Sequence, residues 1–400
     1  MKTACRIISA ATCIFLCLAF AVAAYFNITL PGNYYIYRGE DKLNINCIVD
    51  VSAQVPKNSG STKAELKILG VFPVKTVNVQ SVDRPYLVPC GTAFGIKMLT
   101  DGVVVTSFGK VGDSGDVFEL SPAGKAGIEQ GDIIYEINGE HITSSNKLTQ
   151  LVAKSEGKAE ITYIRDGEKH TATVYPKKDD TGEYKLGVWV RDSTAGIGTM
   201  TFYDEARGVY GGLGHAVCDI DTGEQLPLGS GEIVPATISS VKKGASGNPG
   251  ELCGTLISGI SFGSIDDNSS CGLFGRTSLC PVSREAVPMA FKQEVKTGKA
   301  YIISTVENAP AEEYEIEIES IDYGNPENKN MVIKVTDERL LEKSGGIVQG
   351  MSGSPIIQDG MLVGAVTHVF VSDPTHGYGI FAETMYDRSM KTECLLENAA

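Results

Sequence analysis

Tryptophan is all but missing from this 400-residue chain, with one copy at position 189. It stands in an apolar run, Gly187-Val188-Trp189-Val190, and reads as a core anchor rather than a platform for stacking a ligand. Basic charge is also scarce. Thirty-five Lys and Arg face 49 Asp and Glu, a formal net charge of −14, and no Lys/Arg cluster offsets it. That balance argues against a nucleic-acid partner. The ten cysteines include no Cys-x-x-Cys pair and no Cys/His spacing suited to a metal. Zinc is therefore disfavoured, and no metal or cofactor is expected. Cys5, Cys13 and Cys17 fall in an N-terminal apolar segment; the other seven, Cys47 among them, are odd in number and cannot be paired from spacing. Helical periodicity is sparse. Glycine, in contrast, is abundant at 45 copies, so the chain should be mainly β with many turns, in two or three domains with real cores.

Long hydrophobic runs are limited to one. Lys2 and Arg6 precede Ile7 to Phe26, twenty residues without a charge. That length crosses a bilayer as a helix with the basic flank on the cytoplasmic side. Ala21-Val22-Ala23 resembles a signal-peptide cleavage site, but the length favours an uncleaved anchor. Either way the bulk of the chain is exported. Four segments follow from the pattern: residues 1–26, the anchor or signal segment; 27–89, a linker or small β region without a sharp motif; 90–178; and 180–400.

The third segment carries Ser121-Pro122-Ala123-Gly124-Lys125-Ala126-Gly127-Ile128-Glu129-Gln130-Gly131-Asp132-Ile133-Ile134 between strand-like runs, then a helix-like Ser145 to Ala153 and a closing hairpin around Asp166-Gly167. This order resembles a PDZ domain. The resemblance implies capture of a peptide or protein terminus by strand addition beside Phe94-Gly95-Ile96, with a carboxylate-binding loop at Gly91-Thr92-Ala93-Phe94.

The chemistry concentrates in the last segment. Gly350-Met351-Ser352-Gly353-Ser354-Pro355 sits between apolar strand-like runs. A serine flanked by glycines on a tight turn leaves its hydroxyl uncrowded and lets backbone N–H groups converge, as an acyl-transfer nucleophile requires. Upstream, His215 in Gly211-Gly212-Leu213-Gly214-His215 is a candidate general base set among small residues. A histidine early and a turn-mounted serine late is the chain order of a chymotrypsin-type triad. Of the rival bases His141, His170, His368 and His376, the serious one is His368, just past the serine hairpin. For the third member the sequence leaves two options open. Asp337 keeps the order His, Asp, Ser but lies only 15 residues before Ser352. The usual spacing, with the acid about 45 residues after His, fits Asp266 or Asp267 better.

Gly212-Leu213-Gly214-His215, Thr336-Asp337-Glu338-Arg339-Leu340-Leu341, the run Gly345 to Ile357 and Gly364-Ala365-Val366-Thr367-His368-Val369 together resemble the SpoIVB peptidase family. The resemblance implies a membrane-tethered serine endopeptidase with a PDZ domain and a chymotrypsin-like double β-barrel. It implies His215, Asp337 and Ser352 as the triad, with the N–H groups of Gly350 and Ser352 as oxyanion hole. It further implies sporulation signalling in the space between forespore and mother-cell membranes. There the enzyme would cleave itself and a membrane-bound regulator of an intramembrane protease that processes a sigma factor precursor. The competing expectation is a catalytically inactive adaptor that binds protein termini through its PDZ unit.

Overall fold

A computed structural model describes residues 2–45, 51–55, 60–111, 121–257, 259–307, 309–325 and 328–397; Cys47 lies outside them. The uncharged N-terminal run forms the helix Lys2–Thr29. It leads directly into a five-stranded sheet ordered Asn33–Tyr37, Phe72–Val82, Ser61–Ile68, Val51–Gln54, Lys42–Ile45. Period-two alternation builds this sheet: Ala64, Leu66 and Ile68 are buried while Lys63 and Glu65 face water. Phe26 and Leu30, from the helix end and the residue after it, join its core.

Two long antiparallel strands organise the next part of the chain. Ala93–Phe108 and Val188–Asp204 pair from Val188 opposite Phe108 to Thr199 opposite Ala93. At the Phe108 end, Val103 and Val105 share a core with Ile134, Leu148, Val152 and Ile161, the interior of the PDZ-like unit. At the other end, Phe94, Ile96 and Met98 pack with Met200, Tyr210, Leu213 and Leu273. The PDZ-like unit and the first of two large C-terminal sheets are thus continuous through two shared strands. Trp189 departs from expectation. On the Val188–Asp204 strand its side of the sheet faces solvent, and the residue is 68% exposed rather than a core anchor.

The first C-terminal sheet adds Val209–Gly212, Gly272–Arg276 and Asp267–Ser269 on one flank and Leu228–Lys242 on the other. The second is a closed six-stranded barrel, Gly298–Ser304, Glu312–Ile321, Met331–Val335, Asp373–Phe381, Met361–Phe370, Pro355–Gln358. In Glu312–Ile321 the alternation sends Tyr314, Ile316 and Ile318 into the barrel and leaves Glu313, Glu315 and Glu317 wet, as their spacing predicts. The helix Ala382–Glu397 packs back across both sheets.

Candidate active site

The nucleophile turn joins the short helix Glu338–Ser344 to the strand Pro355–Gln358. Its seat is the end of the Val188–Asp204 strand. The Thr199 N–H donates to Ser352 O at 3.1 Å, the Thr199 hydroxyl to Gly350 O at 2.8 Å, and the Thr201 hydroxyl to Gly353 O at 2.7 Å. Only glycine fits at 353. Its φ is +97°, and a Cβ there would lie 2.0 Å from Thr199 O. The N–H groups of Met351, Gly353 and Ser354 donate to Val348 O, Val366 O and Met351 O. Those of Gly350 and Ser352 have no protein acceptor among the described residues, which leaves two donors available on one turn. The Ser352 hydroxyl itself donates to Thr367 O at 2.6 Å.

His215 reaches this turn because two consecutive residues before it are left-handed, Leu213 at φ +65° and Gly214 at φ +71°. A Cβ on Gly353 would meet Leu213 N at 2.5 Å, and one on Gly214 would meet Thr367 Cγ2 at 2.8 Å, so the two segments are in direct contact. The half-buried His215 ring presents Nδ1 to Ala216 O at 2.7 Å. A carbonyl can only accept, so that nitrogen carries the proton and Nε2 keeps its lone pair, the tautomer a general base requires. Burial pushes the His215 pKa below the ordinary imidazole value, against a smaller upward pull from the Ala216 carbonyl. His368, the rival base, stands beside it with ring centroids 4.8 Å apart. Its buried Nδ1 has no hydrogen-bond partner. Burial first, then the neighbouring His215 and Lys329, hold its pKa down at about 4. Both rings are therefore neutral at pH 7.

The structure does not bring Asp337 to His215. Asp337 caps the helix Glu338–Ser344, accepting from Arg339 N at 2.9 Å and from the Arg339 guanidinium at 2.9 and 3.1 Å. Glu315 N donates to it as well. The Arg339 hydrogen bonds hold its carboxyl below the usual range. Asp266 pairs with Arg276 at 2.9 Å, and Asp267 is clasped by Arg388 at 2.6 and 2.8 Å. No carboxylate bonds to His215 among the described residues; the Ala216 carbonyl holds the ring instead. Asn268 is the residue that sequence reading passed over. It is buried on the strand Asp267–Ser269, and its side chain accepts from Val217 N at 2.8 Å and donates to Val217 O and Leu226 O at 2.9 Å each. That pair of hydrogen bonds to Val217 fixes the chain two residues after His215. No cluster of metal-ligating side chains occurs among the described residues.

The peptide-capture stretch needs correction. Phe94, Gly95 and Ile96 pair on one side with Gly198, Ile197 and Gly196 and on the other with Pro235, Val234 and Ile233. Both edges are filled, so no strand can be added there. Gly91 and Thr92 bond to Met200 inside the same sheet, and Gly91 O also accepts from the Thr305 hydroxyl. The PDZ-like unit offers a different groove of about 490 Å³, between the helix Ser145–Lys154 (Leu148, Thr149, Val152) and Tyr184 to Trp189. Val188 to Arg191 pair on one edge with Val104 to Phe108; among the described residues their other edge carries no strand. The preceding turn is fixed by the Ser121 hydroxyl donating to Gly187 O at 2.8 Å and by Gly109 N donating to the same oxygen. Leu186-Gly187-Val188 was the available sequence signal, an apolar-Gly-apolar step into a strand.

Comparison with known proteins places this geometry in a family. The model of the SpoIVB peptidase S55 family matches residues 182–386, just over half of the chain, including His215, Asn268 and Ser352. The chain belongs to the SpoIVB peptidase S55 family. A PDZ-domain model matches residues 93–175. The chain therefore joins a PDZ domain to a serine peptidase domain. Among curated proteins it is 36% identical over 70 residues to a probable periplasmic serine protease do/HhoA-like of Haemophilus influenzae, covering 17% of this chain and 15% of that protein. It is 43% identical over 56 residues to a probable periplasmic serine endoprotease DegP-like of a Marinomonas species, covering 14% and 12%. The match thus spans about a seventh of the length of these relatives. A solved protease from M. tuberculosis in its active form aligns over 50% of this chain and 74% of its own, at 14% identity and TM-score 0.31. The PDZ domain of an SdrC-like protein from Listeria monocytogenes aligns over 22% and 87%, at 25% identity and TM-score 0.19.

Proposed function

We propose that this member of the SpoIVB peptidase family is a membrane-anchored serine endopeptidase in which Ser352 is the nucleophile and His215 the general base. The observation that carries the reading is the contact between the two segments. The segment that carries His215, whose Nδ1 proton is held by Ala216 O, packs through Leu213 and Gly214 against the turn that carries Ser352, where the N–H groups of Ser352 and Gly350 are unused among the described residues. In the reaction Ser352 Oγ attacks the scissile carbonyl while its proton passes to His215 Nε2. The oxyanion is received by the N–H groups of Gly350 and Ser352, each donor worth about 3 kcal/mol in comparable sites. His215 then gives the proton to the leaving amine, and water repeats the sequence on the acyl-enzyme. The hydroxyl's bond to Thr367 O is a resting arrangement that a turn about χ1 releases toward His215.

The substrate class is protein, with a peptide or protein terminus held at the Tyr184–Trp189 groove. The apolar helix, with Ala10–Thr29 long enough to span a bilayer, supports a membrane anchor. The family supports a role in sporulation signalling outside the forespore membrane. There the enzyme would cut itself and a membrane-associated regulator so that intramembrane processing of a sigma factor precursor can begin. The test is incubation of the full-length chain in detergent or vesicles beside its Ser352→Ala variant, with the fragments read by mass spectrometry. Self-trimming by the parent and an intact variant support the peptidase. Both chains staying whole, with extracts and PDZ-binding peptides supplied, would put the inactive adaptor in its place.

A further inference from the structure

The hairpin that joins Ser61–Ile68 to Phe72–Val82 has a three-residue turn, Leu69-Gly70-Val71, closed by Val71 N donating to Ile68 O at 3.1 Å. Turns of this kind are normally polar. Here Leu69 is 66%, Val71 67% and Phe72 55% exposed, three large apolar side chains in four residues. Leu69 also holds a left-handed conformation, φ +51°, where Asn or Gly would sit without strain. Neither the catalytic site nor the PDZ groove uses this tip.

Its position explains it. The Asn27 side chain, near the end of the apolar helix, donates to Val74 O at 2.9 Å. The Lys75 amine donates to Asn27 O at 2.8 Å and to Leu30 O, so it bridges a carbonyl of the last helical turn and that of the residue after the helix. Farther along, Gly32 O accepts from Asn78 N. The chain therefore leaves the helix toward Asn78 and comes from the side of Val74 and Phe72. Val22 and Ala23, about one turn earlier in the helix, still pack against the core of the β unit. The tip extends three residues beyond Val74, about 10 Å at strand rise. That carries it past the helix end, toward the level where Phe20 and Tyr25 are themselves exposed.

We propose that Leu69, Val71 and Phe72 form a second membrane contact, a hairpin tip seated in the headgroup–acyl boundary beside the anchor helix. The occupant of this apolar surface is lipid, because the surface continues that of the membrane-length helix to which it is bonded. The proposal rests on the reading of Lys2–Thr29 as a membrane helix. Two points of attachment would hold the β unit, and the catalytic sheets packed on it, at a fixed height and tilt over the bilayer.

The single tryptophan makes a clean test possible. In a Trp189→Phe background, full-length chains carrying Val71→Trp or Lys63→Trp are reconstituted into phosphatidylcholine–phosphatidylglycerol vesicles with or without lipids brominated high on the acyl chain. Lys63 is exposed on the same hairpin and pairs with Asn78, at the end away from the tip. The expected result is blue-shifted emission and its loss to bromine for Val71→Trp, with water-like, unquenched emission for Lys63→Trp. Unquenched Val71→Trp in vesicles that retain the chain through alkaline carbonate extraction would overturn the tip contact and leave the anchor standing. Equal quenching at both positions overturns it too, since the tip would then have no special depth. Loss of the chain from the vesicles under carbonate overturns the anchor reading and the tip contact together.

Discussion

Phe94-Gly95-Ile96 and Leu186-Gly187-Val188 are alike as text, each an apolar-Gly-apolar step into a strand, and the two strands pair with each other. They differ in what lies alongside. At Phe94 to Ile96 both edges are filled and the space over Gly95 is taken by Leu256 and Val234. At Val188 to Arg191 one edge, beside the helix that carries Leu148 and Val152, carries no strand among the described residues. The capacity to add a peptide strand therefore belongs to the unpaired edge and not to the tripeptide. The filled end of the same pair does other work: it holds the nucleophile turn through Thr199 and Thr201.

The contrast can be broken most forcefully at the filled end. Gly353→Ala forces a Cβ into Thr199 O from a left-handed backbone. It should abolish peptidase activity and cost roughly 1–3 kcal/mol of stability or more, read by peptide hydrolysis and thermal melting. An active, stable variant would show that the turn is not seated as described. Next comes pH. Catalysis needs neutral His215, and burial lowers its pKa. The acid limb of kcat/KM should fall below the ordinary imidazole value of about 6.5. The same depression makes the unfolded chain bind protons first, so His215 and His368 erode stability as pH falls below about 6.5. For His368 that loss continues to about 4. An acid limb above 6.5 would contradict the half-buried, neutral ring.

At the open end, Thr149→Arg places a bulky charge on the groove-lining helix without touching the catalytic sheets. Binding of a hydrophobic C-terminal peptide should weaken about tenfold, or 1.4 kcal/mol, while turnover of a short groove-independent substrate is unchanged. Unchanged peptide binding in a titration would move the capture site elsewhere. The smallest effect is expected from Asp337→Ala, which removes a helix cap worth about 1 kcal/mol. A loss near 10⁴ in kcat, the effect of a triad acid, would show that Asp337 swings to His215 in the working enzyme.

Much of this was legible because it is local. Alternation marked the strand Glu312–Ile321, small residues marked the PDZ helix at Pro122, and the Gly-flanked serine and the glycines before His215 announced close backbone approach. What escaped was decided by long-range pairing. Nothing near Phe94 says that Leu228–Lys242 will close its second edge, nor does anything near Asp337 announce that Arg339 will occupy its carboxylate. Asn268 was hidden for the same reason, since its partners Val217 and Leu226 lie 51 and 42 residues away. Trp189 reads as core because its neighbours are apolar, yet its face of the strand looks outward.

Leu99 and Ser193 lie directly opposite each other in the long strand pair, with the whole PDZ unit strung between them. Topologically, the catalytic sheet contains an ordinary hairpin whose turn has been replaced by a domain. Excision at 93–175, the stretch that looks like the domain in sequence, would tear out a central strand of the peptidase. A short turn linking Leu99 to Ser193 would instead leave a continuous hairpin, giving engineers a splice point for removing or exchanging the PDZ unit.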